Sequence, residues 1–244
     1  MKAMIFAAGL GTRLRPLTDN MPKALVRVGD VPMLERVICH LKECGYDRIV
    51  VNVHHYADMI IGFLRERNDF GIEIKISDER DRLLDTGGAI VKAREWLYDN
   101  EPFLVHNADI LTDLDLGEMM RWHVENKADA TLLTAARESS RYLLFDDASR
   151  LCGWTNVKTG ECLPEGMEVD RYSRRAFGGV HILSPSLPDM MADYGGDSAF
   201  PIVPFYVSAC RELSIYGYMP DSPYSWFDIG KPSTLAAAES YLGK

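Results

Sequence analysis

Apolar residues recur along this chain in two alternating rhythms. Short runs such as Ala3-Met4-Ile5-Phe6-Ala7, Ile49-Val50-Val51-Asn52-Val53 and Phe103-Leu104-Val105-His106-Asn107 have the length and content of buried strands. Between them, Met33, Leu34, Val37, Ile38 and Leu41 keep the i, i+3/i+4 spacing of an amphipathic helix, opened by Pro32 and stopped by Gly45. Met59, Ile60, Phe63 and Leu64 repeat that spacing, and residues 72–76 alternate as a strand. A third helix is expected through Trp96, a fourth over 116–124, and a strand over 130–134. Strand, helix, strand, helix predicts an α/β fold with a mostly parallel sheet between helical layers. Ligands in such sheets bind beyond the carboxyl ends of the strands.

The rhythm weakens from residue 137 to residue 175. This stretch is polar and holds short strand-like pieces, Tyr142-Leu143-Leu144-Phe145 and Leu151-Cys152-Gly153-Trp154, and reads as an antiparallel excursion. Phe177-Gly178-Gly179-Val180-His181-Ile182 then resumes an apolar strand. A helix near 205–210, an extended piece at 215–218 and a terminal helix ending near Leu242 complete the pattern. One domain over 1–244 is expected, with 137–175 as an excursion within it.

Composition narrows the classes. A chain of 244 residues with 47% hydrophobic content can bury a proper core. Its formal charge of −9 argues against a nucleic-acid or anionic-membrane surface. No apolar run approaches the roughly 18 residues of a membrane span. The first strand begins at once, so no signal peptide is expected and a cytoplasmic location is. Five cysteines, odd in number and without C-x-x-C spacing, read as reduced thiols. The adjacent His54 and His55 point in different directions and lack a third ligand type nearby, so they do not read as a metal site.

Against this acidic background one loop is basic. The first strand runs into Ala7-Ala8-Gly9-Leu10-Gly11-Thr12-Arg13-Leu14-Arg15-Pro16-Leu17-Thr18, followed by Pro22-Lys23. Glycines let backbone N–H groups approach a phosphate closely, and Arg13, Arg15 and Lys23 add positive charge. It is not a Walker A loop, since no Gly-Lys-Ser/Thr follows Gly11. It is not a dinucleotide fingerprint either, since Leu14 stands where the third glycine belongs. Further on, Thr86-Gly87-Gly88 opens a helix and allows close backbone approach to a ligand, while as a bare motif it reads first as an ordinary start capped by Asp85 or Thr86. Asp109 follows a strand end, a position suited to a Mg²⁺ ligand or to a turn carboxylate. Asp113 and Asp115 read as turn and cap residues.

At these residues the chain resembles the sugar-phosphate nucleotidyltransferases, whose opening motif is G-x-G-T-R-x-x-P-L-T followed by P-K. Further matches are Leu84-Asp85-Thr86-Gly87-Gly88-Ala89-Ile90, Asn107-Ala108-Asp109, Phe177-Gly178-Gly179-Val180 and Trp226-Phe227-Asp228-Ile229-Gly230-Lys231-Pro232. The resemblance implies a three-layer α/β/α Rossmann-like fold and transfer of a nucleotidyl group from a nucleoside triphosphate to a sugar 1-phosphate. It implies Arg13 and Lys23 as catalytic cations. The loop Ala7, Ala8, Gly9, Leu10, Gly11 and Thr12, with Thr86, Gly87 and Gly88, would bind the nucleotide. Asn107, Asn156 and Gly179 would bind the sugar, and Asp109 with Asp228 would hold Mg²⁺. Arg141 and Trp154 stand in the excursion, as contacts to the sugar or as scaffold. Two departures are Asp85, where many relatives have Glu or Gly, and Ala108 in place of the Gly of N-G-D.

The opening Ala7-Ala8-Gly9 resembles the uridylyl and cytidylyl branches, where many guanylyl and thymidylyl enzymes have A-G-G. The combination of motifs is similar to N-acetylmuramic acid 1-phosphate uridylyltransferases of cell-wall recycling, which favours UTP. Mannose- or heptose-1-phosphate guanylyltransferases, phosphocholine cytidylyltransferases and a non-catalytic sugar-nucleotide-binding regulator stay open as alternatives. Some relatives carry a C-terminal β-helix; none is visible here, so a single activity is expected. A monomer is compatible with the sequence, which does not itself set the oligomeric state.

Overall fold

The computed structural model describes residues 1–196 and 198–243. In chain order its elements begin β1 (Lys2–Phe6), β2 (Arg27–Val28), β3 (Val31–Pro32), α1 (Met33–Glu43), β4 (Arg48–Val53), α2 (Ala57–Glu66) and β5 (Glu73–Asp78). They continue with α3 (Asp85–Leu97), β6 (Phe103–Asn107), β7 (Ile110–Thr112), α4 (Leu116–Glu125), β8 (Ala130–Ala135), β9 (Arg141–Phe145), β10 (Leu151–Asn156) and β11 (Glu161–Leu163). Last come β12 (Ser173–Leu183), α5 (Leu187–Gly195), α6 (Ile202–Ala209), β13 (Ile215–Tyr218), β14 (Trp226–Asp228) and α7 (Pro232–Leu242).

The main sheet runs β5-β4-β1-β6-β12-β8-β13, with β12 the single strand that opposes the rest. Side-chain alternation divides two cores between its faces. Ile5 of β1, Val51 of β4 and Leu104 of β6 point to one core, closed by α1, α2 and α4. Met4, Val50 and Val105 point to the other, closed by α3, α5 and α6. Helix α1 shows how the pattern acts: Met33, Leu34, Val37, Ile38 and Leu41 are all buried. At about 1.5–3 kcal/mol for each fully buried apolar side chain, that face holds the helix on the sheet. This is the three-layer architecture that the periodicity predicted.

β12 links this sheet to the excursion. Its last residues pair with β6 and β8, while Ser173–Arg175 pair with β9, which continues antiparallel to β10 and β11. The pairing with β8 slips between Phe177 and His181, where Gly179 takes φ +73°. The strand bends there and turns its backbone toward the carboxyl end of β6. Less expected is a two-stranded ribbon of β7 and β14, with Asp228 opposite Ile110. All five cysteines are free thiols. Among the described residues, no helix is long and apolar enough to cross a membrane.

Candidate active site

The loop after β1 is fixed by its own residues. Gly11 adopts φ +66°, and a Cβ there would lie 3.0 Å from Thr18 Cγ2 and 3.2 Å from Lys23 Cβ. Thr18 Oγ1 donates to the Gly11 carbonyl at 2.8 Å. Thr12–Leu14 form a 3-10 turn in which Leu14 is buried as the anchor. Arg13, beside it, is exposed. Lys23 opens a second 3-10 turn after Pro22.

The cations of this loop meet the carboxylates of the β7–β14 ribbon. The Lys23 ammonium forms an ion pair with the Asp109 carboxylate. The Ile229 N–H donates to the Asp109 carbonyl at 3.0 Å, tying the end of β14 to the residue before β7. The Gly230 N–H donates to Asp228 Oδ1 at 2.8 Å. A Cβ on Gly230 would lie 2.7 Å from Asp228 Oδ1, and 3.0 Å from both Arg13 Nη2 and Lys23 Nζ. Four residues separated by up to 215 positions in the sequence, Arg13 to Asp228, therefore converge on one small space that only glycine leaves open. Gly230 entered the sequence reading only as part of a longer motif.

Beside this cluster lies a cavity of about 310 Å³ whose lining includes Phe6, Ala7, Ala8, Asn52, Thr86 and Asn107. One buried relay braces its walls. The Ala7 N–H donates to Asn52 Oδ1 at 2.8 Å, and Asn52 Nδ2 donates to Glu79 Oε1 at 2.8 Å. Glu79 Oε2 in turn accepts the Leu84 N–H at 3.0 Å. Glu79 is 1% exposed, and burial pushes its carboxyl above the ordinary range. Neither Asn52 nor Glu79 was singled out from the sequence. Asn52 carried a signal, because a polar side chain inside the run Val50-Val51-Asn52-Val53 must find buried partners. His54 Nδ1 lies 2.7 Å from the Glu79 carbonyl, which makes it a support for the same segment.

At the Thr86-Gly87-Gly88 turn the glycine backbone is approached by the segment before α6. The Gly87 N–H donates to the Phe200 carbonyl at 2.9 Å, and Gly88 N lies 3.4 Å from the same oxygen. A Cβ at Gly87 would fall 2.2 Å from the Phe200 ring, and one at Gly88 would lie 2.9 Å from the Ser198 carbonyl. These glycines admit the segment before α6, and their amides are already engaged. Thr86 Oγ1 accepts the Ile202 N–H at 2.9 Å. The preceding Asp85 holds φ +57°, a left-handed conformation that costs a non-glycine residue about 1–2 kcal/mol.

On the other side of the cluster, Gly179 and Asn107 are brought together. A Cβ on Gly179 would lie 2.8 Å from Asn107 Nδ2 and 3.0 Å from Ile110 Cγ1. Two residues hold this bend: Trp226, which entered the sequence reading only as part of a longer motif, and Arg137, which was not singled out. Trp226 Nε1 donates to the Gly178 carbonyl at 2.8 Å, and Arg137 Nη2 donates to the Phe177 carbonyl at 2.8 Å. The Arg137 guanidinium stacks 4.2 Å over the Trp226 ring. Asn156 stands apart, at the end of β10 opposite Arg141. Its Oδ1 accepts the Lys158 N–H at 3.1 Å, which closes the β10–β11 hairpin. Asp115 caps α4 by accepting the Glu118 N–H at 2.8 Å, while Asp113 accepts the Ser225 N–H at 2.6 Å and thereby pins β14.

A mostly parallel sheet with a glycine-rich loop, two cations and two carboxylates at its carboxyl edge defines an α/β protein built to handle phosphate. Residues 2–144 match the family model described as nucleotidyl transferase. The chain is 31% identical, over 99% of its length and 97% of the relative's, to N-acetylmuramate alpha-1-phosphate uridylyltransferase of Caulobacter vibrioides. It is 32% identical to mannose-1-phosphate guanyltransferase of Yarrowia lipolytica, over 95% of this chain and 61% of that one. Among solved structures, HddC from Yersinia pseudotuberculosis superposes with a TM-score of 0.78 at 22% identity, covering 99% of both chains. The chain belongs to the nucleotidyl transferase family.

Proposed function

We propose that the protein transfers a nucleotidyl group from a nucleoside triphosphate to a sugar 1-phosphate and releases pyrophosphate. The convergence of Arg13, Lys23, Asp109 and Asp228 around Gly230 carries this reading. An attacking phosphate oxygen is already ionised near neutral pH, so the reaction needs orientation and charge neutralisation and no general base. Arg13 and Lys23 supply positive charge where the α-phosphoryl group and the departing pyrophosphate become more negative. Asp109 and Asp228 fit Mg²⁺, whose shell is ordinarily completed by substrate phosphates and water around one or two carboxylates. That ion, when bound, would add Lewis-acid stabilisation of the phosphoryl oxygens. The Lys23–Asp109 ion pair keeps both groups aimed at the same space.

UTP and N-acetylmuramate 1-phosphate are the favoured substrates. Ala8, the middle residue of the Ala7-Ala8-Gly9 opening, and the full-length similarity to the Caulobacter enzyme support this choice. Guanylyl transfer to a hexose 1-phosphate is the second reading, supported by the 32% identity to the Yarrowia enzyme, of whose length the match spans 61%. Pyrophosphate release, measured with UTP, GTP, CTP and dTTP against several sugar 1-phosphates in the presence and absence of Mg²⁺, tests the assignment. UTP is expected to lead. Turnover with GTP alone would overturn the uridylyl part, and silence with every pair would overturn nucleotidyl transfer in favour of a binding protein.

A further inference from the structure

The strand that carries Asp228 and the strand that carries the Gly179 bend belong to different sheets. β14 pairs with β7 in the small ribbon, while β12 lies in the main sheet. Among the described residues no backbone ladder joins the two strands, so contacts from side chains set their separation. Trp226 Nε1 reaches from β14 to the Gly178 carbonyl of β12 at 2.8 Å. Arg137, in the connection between β8 and β9, donates from Nη2 to the preceding carbonyl, that of Phe177, at 2.8 Å. Its guanidinium stacks 4.2 Å over the Trp226 ring. Two successive carbonyls of the bend are thus gripped by two side chains that pack on each other.

Both side chains also lead to Asp228. Trp226 and Asp228 stand two apart on β14, so they leave the strand on the same side. The guanidinium stacked on Trp226 shares that side. Burial disfavours the Arg137 charge, and among its neighbours the Asp228 carboxylate offsets this most.

Hydrogen bonding alone does not explain where Arg137 sits. Its Nε is buried and has no hydrogen-bond partner among the described residues, at a cost of about 1–3 kcal/mol for an unsatisfied donor. That donor is given up to an orientation that keeps the planar face on the indole and the charge near Asp228. Arginine suits such a place, because its fork donates in its own plane while its face stacks.

On the nucleotidyl-transfer reading, the Gly179–Asn107 bend would hold the acceptor and Asp228 would serve the reacting phosphates. Their separation then sets the line of attack, where a misplacement of about 1 Å costs about 10²-fold in rate. We propose that Arg137 is a positioning residue for this reaction: clamped on Trp226, it holds the acceptor-side bend and the Asp228 carboxylate at one fixed separation. The proposal rests on that reading and extends it to a cation outside the glycine-rich loop and the carboxylate pair.

The test uses full-length protein with the triphosphate and sugar 1-phosphate that give the fastest pyrophosphate release, each varied in turn. Arg137→Met should lower kcat/KM for the sugar 1-phosphate about 10²-fold and leave the triphosphate KM within about twofold. Arg137→Lys restores the charge without the fork or the stack, and should recover about tenfold of that loss. Trp226→Phe keeps a ring but loses the bond to Gly178, which should lower the same constant about tenfold. Because the pair acts as one clamp, Arg137→Met combined with Trp226→Phe should cost less than the product of the single losses. A residue serving stability alone would lower the urea midpoint and move both KM values alike. Losses shared equally by both substrates, no loss in a folded Arg137→Met, or losses that multiply in the double variant would overturn the clamp while nucleotidyl transfer stands. If Arg137→Met does not fold, Arg137→Lys and Trp226→Phe decide by the same split between the two substrates. No pyrophosphate from the unaltered chain with any pair would overturn both.

Discussion

The two sides of the bend at Gly179 are built from different materials. On the triphosphate side, hydrogen bonds and charges set the geometry: the relay Ala7–Asn52–Glu79–Leu84 braces the cavity, and the Lys23–Asp109 pair fixes the cluster. On the excursion side, cross-strand packing of Leu143, Trp154 and Leu163 sets the shape, with Arg141 the one charge among the described residues that line a cavity there. Polar networks in a low-dielectric setting are geometrically strict, because each lost partner leaves another group unsatisfied. Apolar packing tolerates exchange of side chains if volume is kept. The difference teaches that the charged cluster is held in a form that resists change, while the excursion presents a surface that can be altered one residue at a time.

The strongest way to break this comparison is Lys23→Ala. It removes a cation and leaves the Asp109 carboxylate without its ion-pair partner. By analogy with loss of one oxyanion-stabilising donor, kcat should fall about 10²–10³-fold with every acceptor. Steady-state pyrophosphate release with two different acceptors checks this. A loss confined to one acceptor would place Lys23 on the wrong side of the comparison.

Next in size is Asn52→Ala. The Ala7 N–H and the Glu79 carboxylate would each lose a buried partner, at about 1–3 kcal/mol for each unsatisfied group. The loop and the segment before α3 would no longer be braced at a fixed separation. KM for the triphosphate should rise by about tenfold or more, while KM for the sugar 1-phosphate changes little. Urea unfolding, run alongside the kinetics, should show the stability loss as a lower midpoint. An unchanged triphosphate KM in a folded variant would show that the brace does not shape that site.

Much of this division was legible in the sequence, and unevenly. The loop from Gly9 to Lys23 is contiguous, and its glycines, cations and prolines are constrained together, so it reads as one unit. Asp109 and Asp228 stood out through the family motifs that hold them, since a carboxylate after an apolar run reads equally as a turn or cap residue. Glu79 was not, since within Asp78-Glu79-Arg80-Asp81-Arg82 a buried carboxylate looks like any surface charge. Thr86-Gly87-Gly88 was legible only in part: a glycine pair permits close approach, and the sequence does not say that a phenylalanine over a hundred residues later packs there. The row Leu143–Trp154–Leu163 depends on register between three strands, which is set by turns and pairing and not by any local pattern.

Gly179→Ala sharpens the comparison at its boundary. The added methyl would press on Asn107 Nδ2 and Ile110 Cγ1, and φ +73° strains any residue with a Cβ. The strain is about 1–2 kcal/mol before any shift of Asn107. The expected result is a KM for the sugar 1-phosphate raised up to about tenfold, with the triphosphate KM nearly unchanged. Initial-rate kinetics with each substrate varied in turn separate the two constants, and a change confined to the triphosphate would move the boundary.

The smallest effect separates the two sides by their response to acid. Three histidines are buried in the sheet and the helix beside it: His106 and His123 are held at about 4, and His181 at about 3, chiefly because burial disfavours the imidazolium. Asp129 lies near His123 and opposes that shift, as does the Asn107 carbonyl beside His106, while His40 near His106, and His106 near His181, reinforce it. Folded histidines with lowered values bind fewer protons than unfolded ones. Their stability contribution is therefore complete above the ordinary value of 6.5 and is lost as pH falls through the folded values. Between pH 7 and pH 6 each should remove less than about 1 kcal/mol. Glu79, whose carboxyl is raised by burial, works with the opposite sign, favouring the folded state as pH falls through its own lower range. Urea midpoints from pH 7.5 to pH 5 should thus decline steadily. His123→Gln, which can keep a hydrogen bond to Thr131 Oγ1, 2.8 Å from the native Nδ1, should flatten that decline by about a third. A midpoint independent of pH over that interval would show that the buried imidazoles are not neutral in the folded chain.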